Sequence, residues 1–342
     1  MRLCSMEMER RALYNLLLMN YFRDDTLDVE KWQVEDYRAL DTEEILLRLD
    51  NLDIALEIDN FLVLSNKYDT PEDLADIFID TTEEIVIQDQ IYLLVFELWR
   101  RFIPEKLSFS VFCDELDHSI NSYDRGDVEN TEHLEDLIAN LQIILDENID
   151  EGGKPSEIFT ALTANCANDI ESFLYDFISE ELDNNNTSYA SELVEGFTEY
   201  ISDAKWFTFL QARLVARYDF DESAEIISSL FAKTSKTSLN LEFCFDVLSF
   251  LVQDGTHKLF VPIAKKTLCL LNTEDDFREL LEICIEYFSY LDSDEHERAI
   301  QTILDQRLGD IAAAFDQEDP AKHALVNLLD FPLFFSPEES KS

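Results

Sequence analysis

Glycine and proline are scarce in this chain of 342 residues, which contains only 6 glycines and 7 prolines. Sheet-rich folds use glycine in tight turns, and phosphate-binding loops use it where the backbone approaches the ligand. The motifs G-x-G-x-x-G, G-x-x-x-x-G-K-[ST], G-x-S-x-G and H-E-x-x-H are all absent from the sequence. These absences exclude the common phosphate-binding and hydrolase motifs and favour helices joined by short loops.

Positive charge is also scarce, since 26 Lys and Arg face 74 Asp and Glu and the formal net charge is −48. Nucleic-acid binding and docking on anionic membranes both depend on Lys and Arg, so we expect neither. From Leu107 to Ala204 two bases face 24 acids, whereas from Lys205 to Lys266 eight bases face seven acids. Two explanations remain for the acidity: it serves recognition, or it only keeps the protein in solution.

Cysteine pairs are lacking as well, because the six cysteines lie far apart and form no C-x-x-C motif. Such residues are typical of reduced, buried thiols in a cytosolic protein. The N-terminal apolar run Ala12–Met19 is interrupted by polar residues and follows two acids, which is unlike a secretory signal. We expect a cytoplasmic protein, with export that needs no cleaved signal left open.

The longest apolar segment, Thr81–Ile103, predicts a core helix. Thr81 and Glu84 have the spacing of a capping box, and apolar residues then cover most of the helix circumference. Arg100 and Arg101 fall in the last turn, where cations complement the helix dipole. Charged residues interrupt the segment well short of the ~20 apolar residues that a membrane span needs.

The chain as a whole is predicted to be all-α, either a helical-hairpin (TPR-like) solenoid or two linked helical domains. The clearest break is Asp150–Pro155, where a glycine pair precedes a proline that opens the next helix. The stretch Ser156–Leu182 is predicted to be one long helix, and Asp183–Thr187 a polar turn that serves as a hinge. The predicted divisions are an acidic N-terminal helical domain (1–182), the hinge (183–187), a C-terminal helical-repeat domain (188–330) and a tail (331–342).

Helix starts recur after the hinge, near Tyr189, Lys205, Asp221, Ser238, His257, Thr273 and Ser293. Pairs of such helices give units of roughly 34 residues, as in helical solenoids. In Ala190–Phe231, the residues Trp206, Ala212, Tyr218 and Ala224 are placed like the packing positions of a tetratricopeptide hairpin, and the stretch resembles that superfamily. The Gly and Tyr of the tetratricopeptide pattern are out of register, so the resemblance implies a fold class and no function.

A second resemblance concerns the segment Ser293–Arg298 and the following Ala299–Leu304. This segment is similar to a late helix of the gatekeeper proteins of type III secretion, which are acidic, all-helical chains of comparable length. The resemblance implies a regulator that binds protein components of an export system. No motif is specific enough to assign the roles of individual gatekeeper residues to residues of this chain.

Two short patterns have metal-ligand spacing. Glu115-x-x-His118 places both groups on one helix face, but a di-iron bundle needs a second such pair, and none exists. The segment Asp146–Glu157 matches four oxygen-donor positions of a calcium loop, yet Glu151 occupies the position that requires Gly. We predict no metal, no cofactor and no enzymatic activity, with an active site assembled from scattered side chains left open.

The favoured function is a non-enzymatic cytosolic scaffold or chaperone-like adaptor that binds a protein partner, with acidic residues steering a basic one. The candidate partner-binding residues are Asp114, Glu115, Asp117, Glu132, Glu135, Asp136, Phe331, Phe334 and Phe335. The alternatives are an acidic decoy that mimics nucleic acid, a gatekeeper-like regulator and an enzyme without a recognisable motif. The sequence predicts no particular oligomeric state.

Overall fold

The computed structural model of the chain describes residues 8–79, 84–106, 108–127, 131–150, 152–233, 239–254 and 257–330. Within these ranges the chain forms 17 α-helices and two short 3₁₀ turns and contains no strand, which confirms the all-α prediction. The described residues divide into two compact units, one within the ranges 8–177 and 195–202 and the other within 178–194 and 203–330. The predicted division into independent domains with a hinge remains a prediction.

The helices follow one another with short connections. The first ten are α1 (Arg10–Arg23), α2 (Thr42–Asn51), α3 (Ile58–Ser65), α4 (Pro71–Asp76), α5 (Ile85–Phe102), α6 (Phe109–Asp124), α7 (Glu132–Asp150), α8 (Pro155–Thr163), α9 (Ile170–Asp183) and α10 (Thr187–Phe197). The last seven are α11 (Ala204–Ala216), α12 (Phe220–Lys233), α13 (Leu241–Asp254), α14 (His257–Thr267), α15 (Glu274–Tyr290), α16 (Asp294–Asp305) and α17 (Pro320–Leu329). The 3₁₀ turns are Lys31–Val34 and Tyr37–Ala39.

Helix α5 is the centre of the first unit, as its apolar circumference predicts. All nine residues from Ile91 to Trp99 are buried, because α2, α4 and the second 3₁₀ turn pack around them. Burial of each large apolar side chain contributes about 1.5–3 kcal/mol to stability. The predicted capping box is wrong in register, since Glu84 is the N-cap residue and its side chain makes no capping bond. Thr81 lies outside the described residues.

The break at Asp150–Pro155 is confirmed. Helix α7 ends at Asp150 and α8 begins at Pro155, with Gly152 at a φ of 101° that other residues rarely adopt. The single long helix predicted over Ser156–Leu182 is wrong, because the chain leaves the helix at Ala164 and resumes it at Ile170. The six residues of this interruption are fixed by a contact with α6 that is described below.

Helix starts in the second half of the chain fall within a few residues of their predicted places, apart from Ser238, which lies outside the described residues. The observed starts are Thr187, Ala204, Phe220, Leu241, His257, Glu274 and Asp294. In the second unit α11 packs on α12 and α15 packs on α16, so consecutive helices form hairpins. Tyr218 does not fill the predicted packing position, because it is 85 % exposed in the turn between α11 and α12.

Candidate functional site

The first unit holds a network of buried charges that begins at the C-terminal end of α5. The carboxylate of Glu97 is buried, and it accepts two hydrogen bonds from Arg100, at 2.9 and 2.7 Å, and one from Arg101 at 2.5 Å. Arg101 also donates to the carbonyls of Tyr37 and Arg38, at 3.1 and 3.2 Å. The two arginines therefore neutralise a buried acid, and Arg101 also holds the second 3₁₀ turn. The sequence prediction considered only the helix dipole and missed this role.

Asp114, on the face of α6 toward α1, is the second buried acid of the network. It accepts hydrogen bonds from Arg11 at 2.6 Å, Asn15 at 3.0 Å and Arg38 at 2.5 Å. Burial by itself raises the pKa of Asp114, but the charges of Arg11 and Arg38 and these hydrogen bonds outweigh it and lower the pKa to about 2. The carboxylate stays ionised at neutral pH and joins three chain segments.

Asp117, one turn further along α6, is the third buried acid and has no arginine partner. Its oxygens accept the backbone N–H groups of Ala167 and Asn168, at 2.8 and 2.9 Å, and the side-chain amides of Asn168 and Asn15, at 2.9 and 3.4 Å. Burial raises its pKa to about 6, although the hydrogen bonds act in the opposite direction. Asp117 thus holds the interruption between α8 and α9 against α6.

Glu115 and His118, the pair with metal-ligand spacing, both lie near Arg38. Glu115 forms ion pairs with Arg38 and Arg100, both at 3.1 Å. Partial burial and the charge of Arg38 lower the pKa of His118. Within the described ranges, no group of three or more His, Cys, Asp and Glu is arranged to hold a metal ion.

A cleft of about 370 Å³ opens above this network, between α1, α6 and the 3₁₀ turns. The α1 wall follows helical spacing from Arg11 and Asn15 at the floor through Leu18 to Phe22 at the rim. The α6 wall runs in parallel from Asp114 and Asp117 through His118 and Asn121 to Asp124 and Arg125. The floor residues are hydrogen-bonded to one another, so the cleft is formed before any ligand enters.

The structure separates the acidic residues predicted to bind a partner into two groups. Asp114 and Asp117 are only 2 % and 1 % exposed, so the expectation that they contribute to the outer acidic surface is wrong. For Asp117, sequence spacing could have indicated this, because it shares a helix face with Cys113 and Ile120, which are buried. Both aspartates are held inside by partners far away in sequence.

Glu132, Glu135 and Asp136 belong to α7, and the first and third of these are exposed. Glu135 is half-buried and accepts a hydrogen bond from Thr131 at 2.6 Å. The aromatic residues Phe331, Phe334 and Phe335 lie outside the described residues. Partner binding by any of these residues stays a prediction.

Comparisons with known proteins identify no relative: no protein-family model matches the chain, and neither a curated protein nor a solved structure is similar to it. In the part of the chain that the structure describes, no helix has the length and apolar character required to cross a membrane.

Proposed function

We propose that this chain is a non-enzymatic interaction protein whose acidic outer surface binds a basic protein partner. The observation that carries the proposal is the opposite placement of the two charge signs in the first unit. Four of its arginines bind internal carboxylates, whereas most acids of α7 face outward.

The inward placement of positive charge is clear at four arginines. The side chains of Arg11, Arg38, Arg100 and Arg101 are only 9 %, 14 %, 19 % and 18 % exposed, and each contacts a buried carboxylate. Their charges are spent on neutralising the interior, so they do little to offset the acids at the surface. The exposed acids of this unit are therefore the charges that an approaching partner meets first.

Helix α7 carries exposed acidic residues that no base neutralises within the described ranges. It contains no Lys or Arg, and Asp136, Glu147 and Asp150 are exposed without an ion pair to any described residue. Ile143 lies on the same face and is 53 % exposed. A row of carboxylates with an apolar side chain among them is complementary to a basic helix that carries an apolar residue, and such fields raise association rates.

Two finer points belong to the same proposal. The five described cysteines are free thiols and four of them are buried, which supports a reducing compartment such as the cytoplasm. The hairpins α11–α12 and α15–α16 support a TPR-like arrangement in the second unit.

The experiment is a titration of the full chain against two synthetic helical peptides, one rich in lysine with a central leucine and the other with glutamate in place of lysine. Fluorescence anisotropy should detect binding of the lysine peptide alone, weakening steeply as salt rises. The variant Asp136→Asn/Glu147→Gln/Asp150→Asn should bind it at least several-fold more weakly.

A matched control removes three exposed acids from α2 and α3, as Glu43→Gln/Asp50→Asn/Asp59→Asn. This control should retain nearly all of the binding if α7 is the docking face. Equal binding of both peptides, or an unchanged affinity in the α7 variant, would refute the proposal. An equal loss in both variants would show that total charge, and not α7, is recognised.

A further inference from the structure

We propose that the cleft between α1 and α6 binds a small aromatic zwitterion, of the size of an α-amino acid or a dipeptide. This site is separate from the outer face of α7 and does not depend on the function proposed above. The inference rests on the charge balance of the cleft, the free polar groups at its mouth and its aromatic rim.

The lining of the cleft concentrates positive charge in an otherwise acidic protein. Four of the eight arginines between residues 8 and 177 line it, together with five carboxylates. The arginines are Arg11, Arg23, Arg38 and Arg125, and the carboxylates are Glu35, Asp36, Asp114, Asp117 and Asp124. A simple anion would be repelled by the net charge of −48, and a simple cation would bind the carboxylates of the lining but leave the Arg23 guanidinium unused. A zwitterion has one charged group for the arginines and one for the carboxylates. Because its net charge is zero, the acidic protein does not repel it.

The mouth of the cleft offers polar groups that are not used internally. The imidazole of His118 and the side-chain amide of Asn121 make no hydrogen bond to a described residue. Arg23 and Asp124 are both exposed there, and they are close enough for the Arg23 charge to act on the Asp124 carboxyl. The carboxylate of the ligand can accept a charge-assisted hydrogen bond from Arg23, and its ammonium can donate one to Asp124.

The rim provides an apolar surface for the body of such a ligand. Phe22 is 65 % exposed, and the guanidinium carbon of Arg125 lies 5.9 Å from its ring centroid. Leu18 and Met19 continue this surface into the cleft. A volume of about 370 Å³ lies within the range of pockets that hold small molecules.

The test uses three probes with the same ring and different charges: L-phenylalanine, 2-phenylethylamine and 3-phenylpropanoate. Isothermal titration of the full chain at pH 7 should show phenylalanine binding roughly tenfold more tightly than either singly charged probe, because each of the others lacks one charge-assisted contact. Tighter binding of the amine would mean that the acidic field alone attracts cations, and would overturn the proposal. Absence of saturable phenylalanine binding at millimolar concentration would overturn it as well.

Two variants at the mouth give a charge-specific control. Arg23→Gln should weaken phenylalanine roughly tenfold without weakening the amine, whereas Asp124→Asn should weaken phenylalanine without weakening phenylpropanoate. Neither residue belongs to the buried network, and Lys154→Gln, an exposed site outside the cleft, should change none of the three affinities. If both mouth variants bind phenylalanine as the parent does, the site is not this cleft.

Discussion

Replacement of Asp114 by alanine tests the buried charge network most directly. The substitution removes the carboxylate that contacts Arg11, Arg38 and Asn15 and leaves at least one guanidinium buried without its partner. Loss of one partner from a buried ion pair costs about 3–5 kcal/mol, so Asp114→Ala should lower the free energy of unfolding of the first unit by that amount.

The pKa of Asp114 allows a separate estimate. Its decrease from the ordinary 3.8 to about 2 corresponds to about 2.5 kcal/mol that favours the folded state. Because the folded-state pKa is the lower one, this stabilisation is present above pH 3.8 and is lost as the pH falls toward 2. The estimate is of the same order as the cost expected for alanine, which also leaves a charge unpaired.

The assay is urea unfolding followed by tryptophan fluorescence in a Trp206→Phe background. In that background the remaining tryptophans, Trp32 and Trp99, both belong to the first unit, so the signal reports that unit alone. The matched control is Glu157→Ala, which breaks an exposed ion pair with Lys154 and should cost less than about 0.5 kcal/mol. A cost for Asp114→Ala no larger than that of the control would refute the account of the network.

Three further predictions use the same assay. Asp117 has a folded-state pKa of about 6, above the ordinary 3.8, so its contribution to stability is fully present below pH 3.8. This contribution should fall by about 3 kcal/mol as the pH rises through 6. The variant Asp117→Asn should lack this part of the pH dependence of the free energy of unfolding. Thr70→Ala removes the hydroxyl that accepts the Asp73 N–H at 3.1 Å at the start of α4 and should cost about 1 kcal/mol. Gly153→Ala would place a Cβ 2.6 Å from Ile158 and should cost about 1–3 kcal/mol, whereas a stability equal to that of the parent would contradict this packing.

Local chemistry determined most of the helical architecture from the sequence alone. The scarcity of Gly and Pro predicts helices, Thr70 followed by Pro71 places the start of α4, and the apolar circumference of α5 predicts its burial. These features involve residues within one or two helical turns of each other. Periodicity and capping patterns can therefore reveal them without knowledge of the fold.

Tertiary structure alone decided where the charged residues lie and where the stretch after Pro155 breaks. Asp114 and Arg11 are 103 positions apart in the sequence, and Asp117 binds the N–H of Asn168 from 51 positions away. Sequence reasoning places a carboxylate at the surface, because burying its charge is unfavourable unless a partner compensates the lost hydration. No local pattern identifies a partner that lies far away in the sequence. The helix predicted over Ser156–Leu182 is interrupted because Asp117 accepts the backbone donors of the turn, and the cleft exists because α1 and α6 pack together.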